Sequence, residues 1–140
     1  MLILDTTILA EAIRPNPDAR IGAWLGAQPR DDLYTTSIAL ADILLGIERL
    51  PPGKRRSDLL AAVGEIFAFF EKRILPFDQD AARAYPTIVQ NQKMMGKTVN
   101  VAGAMLAAIT RSRGAMLASR TPEDFSGCGI RVVNPWEPGS

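Results

Sequence analysis

The apolar run Leu2-Ile3-Leu4 stops at one carboxylate, Asp5, and two hydroxyls, Thr6 and Thr7, before Ile8 and Leu9 turn apolar again. A short apolar run that ends on an acid reads as a buried strand carrying a carboxylate at its carboxyl end, where open α/β sheets place their chemistry. The chain contains no histidine. That removes Ser-His and Cys-His catalysis, imidazole general bases and zinc sites built on imidazole. A histidine-free chain suits an oxygen-ligand site, one of the chemistries open to such an acid. Gathered carboxylates repel one another, and the repulsion is relieved by a bound divalent cation or by a raised pKa. A divalent cation held in this way can supply a nucleophilic water and offset negative charge that grows in a hydrolytic transition state.

Asp5 needs a frame, and the pattern along the chain supplies one. Residues 1–4 read as a strand and residues 6–14 as a short helix that stops before Pro15, because proline disfavours helical geometry in the residue before it. Asp18 reads as the N-cap of a helix through Ala27, and Leu33-Tyr34-Thr35-Thr36 as a second strand. A helix from Ser37 carries Ile38, Leu40, Ala41, Leu44, Leu45 and Ile47 as an apolar stripe, with Asp42 inside it, and breaks at Pro51-Pro52-Gly53. Residues 55–71 repeat Leu59, Leu60, Val63, Ile66, Phe67 and Phe70 at spacings of three and four, which predicts a helix with its aromatic residues in the core. A strand from Ile74 to Phe77 precedes a helix from Ala81 to about Met94, capped by Asp78 or Asp80 and ended by Gly96. Asn100 caps an alanine-rich helix that closes at Arg113-Gly114. Strands follow at 115–118 and 130–133, with a polar turn from Ser119 to Phe125 between them.

This alternation predicts an α/β fold with helices on both faces of a mainly parallel sheet of about five strands. At 140 residues the chain is long enough for one domain with a substantial core. Its 16 basic and 15 acidic residues give a net charge of +1, so any polyanion site has to be local. Lys54-Arg55-Arg56 and the pair Arg111 and Arg113 read as solvated helix ends. Cys128 is the lone cysteine and reads as a core thiol in a reducing, cytoplasmic setting. The sequence shows neither a leader pattern nor a membrane span.

Three segments, in order, resemble the PIN-domain ribonucleases of the VapC and FitB toxin type. LDTTIL at residues 4–9 resembles the family's LDTNVL, TSIALADILLGIERLP resembles its TSxxxAElxxGIerLP, and SRTPEDFSGCGIRVVNPW resembles its ATRNxxDFxgxGixVinPW. The resemblance extends over essentially the whole chain and implies a single PIN domain over residues 1–140, with a three-layer α/β/α architecture. Position by position, Asp5 matches the first metal-binding acid. Asp42 matches the second, normally glutamate, with a reach shorter by one methylene. The third acid falls in a segment that commonly reads VADAxIAA, where this chain has Val101-Ala102-Gly103-Ala104, so Gly103 stands at the position of an aspartate. Thr121 occupies a fourth polar position, and Asp124 lies close enough in sequence to assist. Thr7 stands where asparagine is usual, and Thr6, Thr7 and Ser37 are neutral oxygen donors.

Gly103 is also unusual on local grounds. It falls at the third position of its helix, where an acid complements the helix dipole and glycine costs ~1 kcal/mol relative to alanine. The resemblance therefore implies the toxin of a type II toxin-antitoxin pair of the plasmid-stability kind. Its expected activity is Mg²⁺- or Mn²⁺-dependent endoribonuclease chemistry, with activity impaired by Gly103. The expected partners are an RNA substrate, a cognate antitoxin that covers the acidic cleft, and a second copy in a homodimer, with no membrane. Two other readings stand beside it: an impaired PIN domain that binds antitoxin or RNA, and a DNA-directed nuclease.

Overall fold

The computed structural model describes residues 1–137. Five strands, β1 (Leu2–Leu4), β2 (Leu33–Thr36), β3 (Ile74–Leu75), β4 (Met116–Ala118) and β5 (Arg131–Val133), form a parallel sheet in the order β3-β2-β1-β4-β5. The helices are α1 (Thr6–Ala12), α2 (Ala19–Gly26), α3 (Ser37–Glu48), α4 (Lys54–Phe70), α5 (Gln79–Met94) and α6 (Val101–Ser112). This is the α/β/α arrangement expected from the sequence, and every strand pairing is parallel.

The strands are short and apolar because both faces of the sheet are covered. Along β1 the faces alternate: Leu2 and Leu4 join Ile8, Leu40 and Ile47 on the α1 to α4 side, whereas Ile3 joins Leu117, Ile88 and Ile109 on the α5 and α6 side. Fully burying one such aliphatic side chain contributes ~1.5–3 kcal/mol. From β1 the sheet grows outward through β2 and β3 on one side, and through β4 and β5 on the other. The direction reverses between β1 and β4, which opens a crevice beyond their carboxyl ends.

Two expected stripes are placed differently. In α3 the buried residues are Ala39, Leu40, Ile43 and Ile47, while Asp42, Leu44 and Leu45 are exposed. The helix meets the sheet along one narrow line and leaves Asp42 beside the crevice rather than inside the apolar stripe. In α4, Val63 and Phe70 are buried but Leu60 and Phe67 are about two-fifths exposed, so only part of that repeat reaches the core. Asp78 rather than Asp80 caps α5, its carboxylate accepting from the Ala81 N–H, and the helix therefore begins at Gln79. Cys128 is buried, as expected of a core thiol.

Candidate active site

Asp5 leaves β1 at the reversal point. Its N–H donates to the Ala118 carbonyl at the end of β4, which extends the sheet by one hydrogen bond and fixes the residue beside Ser119. Its carboxylate Oδ1 accepts from the Thr7 N–H at 2.9 Å, the Ile8 N–H at 3.2 Å and the Thr7 hydroxyl. Asp5 is thus the N-cap of α1, satisfying N–H groups that the helix leaves without partners. The residue is only 3% exposed, and no cation pairs with it among the described residues. Burial pushes its carboxyl above the ordinary carboxylate range, opposed by hydrogen bonds from Ser119, Thr7 and Ile8. A buried, cation-free carboxyl beside a cavity is the electrostatic condition under which a bound cation is most welcome.

The cavity beyond it encloses about 290 Å³ and is lined by Asp5, Thr6, Thr7, Asp42, Gly103, Thr121 and Asp124, together with residues of α5, α6 and the loop between them. Seven of the eight positions drawn from the sequence as acids, missing acid or polar support thus line this cavity; six of them carry side-chain oxygens and the seventh is the glycine. Ser37, the remaining candidate, is the exposed first residue of α3 and lies outside this lining. Asp42 accepts from the Thr6 hydroxyl at 3.5 Å, a long contact that leaves its carboxylate free toward the cavity. Asp124 lies in the 3-10 turn Pro122–Phe125, whose backbone is held by Gln92: its amide donates to the Asp124 and Ser126 carbonyls. Among the described residues no three acidic, histidine or cysteine side chains converge into one group able to hold a metal.

The wall at Gly103 is open. Asn100 caps α6 by accepting from the Gly103 N–H at 2.8 Å. A Cβ built on Gly103 meets Asn100 Oδ1 at 3.4 Å and nothing closer, and the backbone there is helical. The position therefore accepts a larger side chain without rebuilding the helix, so neither crowding nor a left-handed conformation accounts for the glycine.

Three contributors were not singled out from the sequence. Ser119 is fully buried, hydrogen-bonds the Asp5 carboxylate, and holds Thr121 through contacts of 3.1 Å to its N–H and 3.3 Å to its hydroxyl. It follows β4 as Asp5 follows β1, so the same strand-end argument points to it. Gln92 and Lys97 also line the cavity, and no local pattern marks them: their place depends on how α5 packs on α6.

The all-oxygen donor set and the buried Asp5 fit a hard, hydrated cation. Mg²⁺ keeps several waters and is held by as few as one or two carboxylates.

Comparison with known proteins gives a consistent result. The PIN domain family profile matches residues 2–126. The VapC ribonuclease Y4jK of Sinorhizobium fredii is 35% identical over 139 residues, covering 99% of each chain. Toxin FitB of Neisseria gonorrhoeae is 34% identical over 137 residues, covering 97% of this chain and 99% of its own. The crystal structure of FitAcB from Neisseria gonorrhoeae superposes with a TM-score of 0.88 at 33% identity, over 98% of this chain and 99% of that one.

Proposed function

The chain belongs to the PIN-domain family, and on that premise we propose that it is the toxin of a toxin-antitoxin pair, built as a Mg²⁺-dependent endoribonuclease with one acidic ligand missing. The observation that carries this reading is the buried Asp5 at the sheet's reversal point, sharing a cavity with Asp42 and Asp124. The ribonuclease and toxin names of the relatives point the same way.

Asp5 and Asp42 would hold the ion, with Asp124 on the facing turn available to orient water. A bound Mg²⁺ would supply charge neutralisation at the scissile phosphate and increase the acidity of a water. The protein's own part is positional. Thr7 and Ser119 fix the Asp5 carboxylate, Gln92 fixes the backbone that carries Asp124, and Asp42, with only a long contact from Thr6, keeps its carboxylate free to turn toward the ion. Gly103 brings neither charge nor oxygen to its wall, which supports impaired rather than abolished metal binding. A cognate antitoxin segment that occupies the same cavity would block RNA entry.

Purified parent and Gly103→Asp chains should be compared for cleavage of single-stranded RNA with Mg²⁺ and with EDTA. The aspartate chain is expected to cleave at least ~10²-fold faster than the parent, the scale of losing one catalytic group, and only with Mg²⁺. An inactive Gly103→Asp chain would overturn the missing-ligand account. Metal-independent cleavage that survives Asp5→Asn would overturn the metal site itself.

A further inference from the structure

We propose that Lys97 receives a phosphate oxygen of the RNA strand at the cavity, a role that rests on the nuclease reading above. A cavity walled by Asp5, Asp42 and Asp124 repels a polyanion, and among its lining residues Lys97 alone is basic. The side chain is held in place rather than free. Gly96, with φ of 77°, turns the chain out of α5, and the Lys97 N–H then closes back on the Gln92 carbonyl at 3.0 Å. The ammonium donates to the backbone carbonyl of Glu123, on the same 3-10 turn that carries Asp124.

The nature of that partner matters. Several cations of this chain sit against carboxylates, Lys54 on Asp58, Arg56 on Glu48, Arg20 on Asp18 and Arg113 on Asp78, whereas Arg73 donates to backbone carbonyls well away from this cavity. Lys97 is half-buried yet bonded to a neutral carbonyl, and it forms no ion pair among the described residues. One of its three N–H groups is thereby engaged, while its charge and two donors remain for an incoming anion. A phosphodiester oxygen satisfies both needs, and Lys97 serves as a point-charge phosphate contact of the kind lysine commonly makes.

The test is the salt dependence of binding. A fluorescein-labelled, mixed-sequence single-stranded RNA is titrated by anisotropy in EDTA, where it stays uncleaved, against the parent, Lys97→Gln, Lys97→Arg and Lys54→Gln chains. Lys97→Gln keeps a donor for the Glu123 carbonyl but loses the charge. It should weaken binding about 3- to 10-fold and flatten the log-log salt slope by ~0.7, the value for one phosphate contact on a single strand. Lys97→Arg should keep the parent slope, and so should Lys54→Gln, which removes the same charge away from the cavity. If Lys97→Gln fails to fold, Lys97→Met replaces it. The proposal is overturned if the uncharged variant keeps the parent's affinity and slope, or if Lys54→Gln loses as much.

In the Gly103→Asp chain, Lys97→Gln should raise KM well above any change in kcat. Cleavage with an unchanged KM would sink the role of Lys97 and leave the nuclease standing. A Gly103→Asp chain that neither binds nor cleaves RNA would sink both.

Discussion

The cavity lies between two helix N-termini that solve the same problem in different ways. At α1 the capping residue is Asp5, whose carboxylate accepts from the Thr7 and Ile8 N–H groups and also forms the cavity wall. At α6 the capping residue is the neutral Asn100, which accepts from the Gly103 N–H, and the position proposed for chemistry lies three residues further on. At the first helix a single side chain serves fold and site together. At the second the duties are divided, so residue 103 can lose its acid while the helix keeps its cap.

The sharpest way to break this comparison is to delete each cap in the Gly103→Asp background. Asp5→Ala and Asn100→Ala should each lower unfolding free energy by ~1 kcal/mol, measured by denaturant titration, because each leaves helix N–H groups without an acceptor. Their chemistry should diverge. Asp5→Ala is expected to cost at least ~10²-fold in cleavage and to remove the Mg²⁺-induced rise in melting temperature, since binding to the native state is what stabilises it. Asn100→Ala should keep both responses. Equal loss of cleavage in the two variants would mean that the second helix divides nothing.

A smaller effect concerns the cost of keeping Asp5 charged. Its folded pKa lies above the ordinary 3.8 because burial disfavours the anion. The native state therefore holds a proton where the unfolded chain has released it, and stability falls as pH rises from the unfolded value through the folded one. Asp5→Asn stays neutral and retains an oxygen to cap α1. In EDTA it should melt above the parent at neutral pH, with the advantage fading as pH drops below the unfolded value. A difference that does not vary with pH would show that desolvation of this carboxyl is not what separates the two helix ends.

Local pattern was enough for much of this. The acid after an apolar tripeptide and the Asn100 cap are local signals, and each stands where its local chemistry put it; the glycine at the third helical position is a local signal of the opposite kind, a departure from what the helix favours. The order of the strands was less legible, because pairing β1 with both β2 and β4 is a non-local choice made by packing on both faces. Asp42 shows the limit most directly. Its neighbours Leu44 and Leu45 look like core residues in sequence, but the sheet contacts only one line of α3 and leaves all three exposed. Gln92 and Lys97 were illegible for a related reason: a polar side chain near the end of an amphipathic helix looks solvated until the neighbouring turn is placed against it.

The smallest expected change isolates what the glycine itself does. Gly103→Ala adds a Cβ that meets Asn100 Oδ1 at 3.4 Å, an ordinary contact, at a position with helical backbone. Glycine in a helix is less favourable than alanine by up to ~1 kcal/mol, and so near the first turn a gain of ~0.5 kcal/mol is expected in denaturant titration. The variant should gain no Mg²⁺-dependent cleavage, because a methyl group restores the helix but offers no oxygen. Alanine and aspartate at the same site thus separate propensity from ligation. If alanine restores cleavage as aspartate is expected to, the defect lies in the stiffness of the α6 entrance rather than in a missing carboxylate, and the division of duties between Asn100 and residue 103 no longer holds.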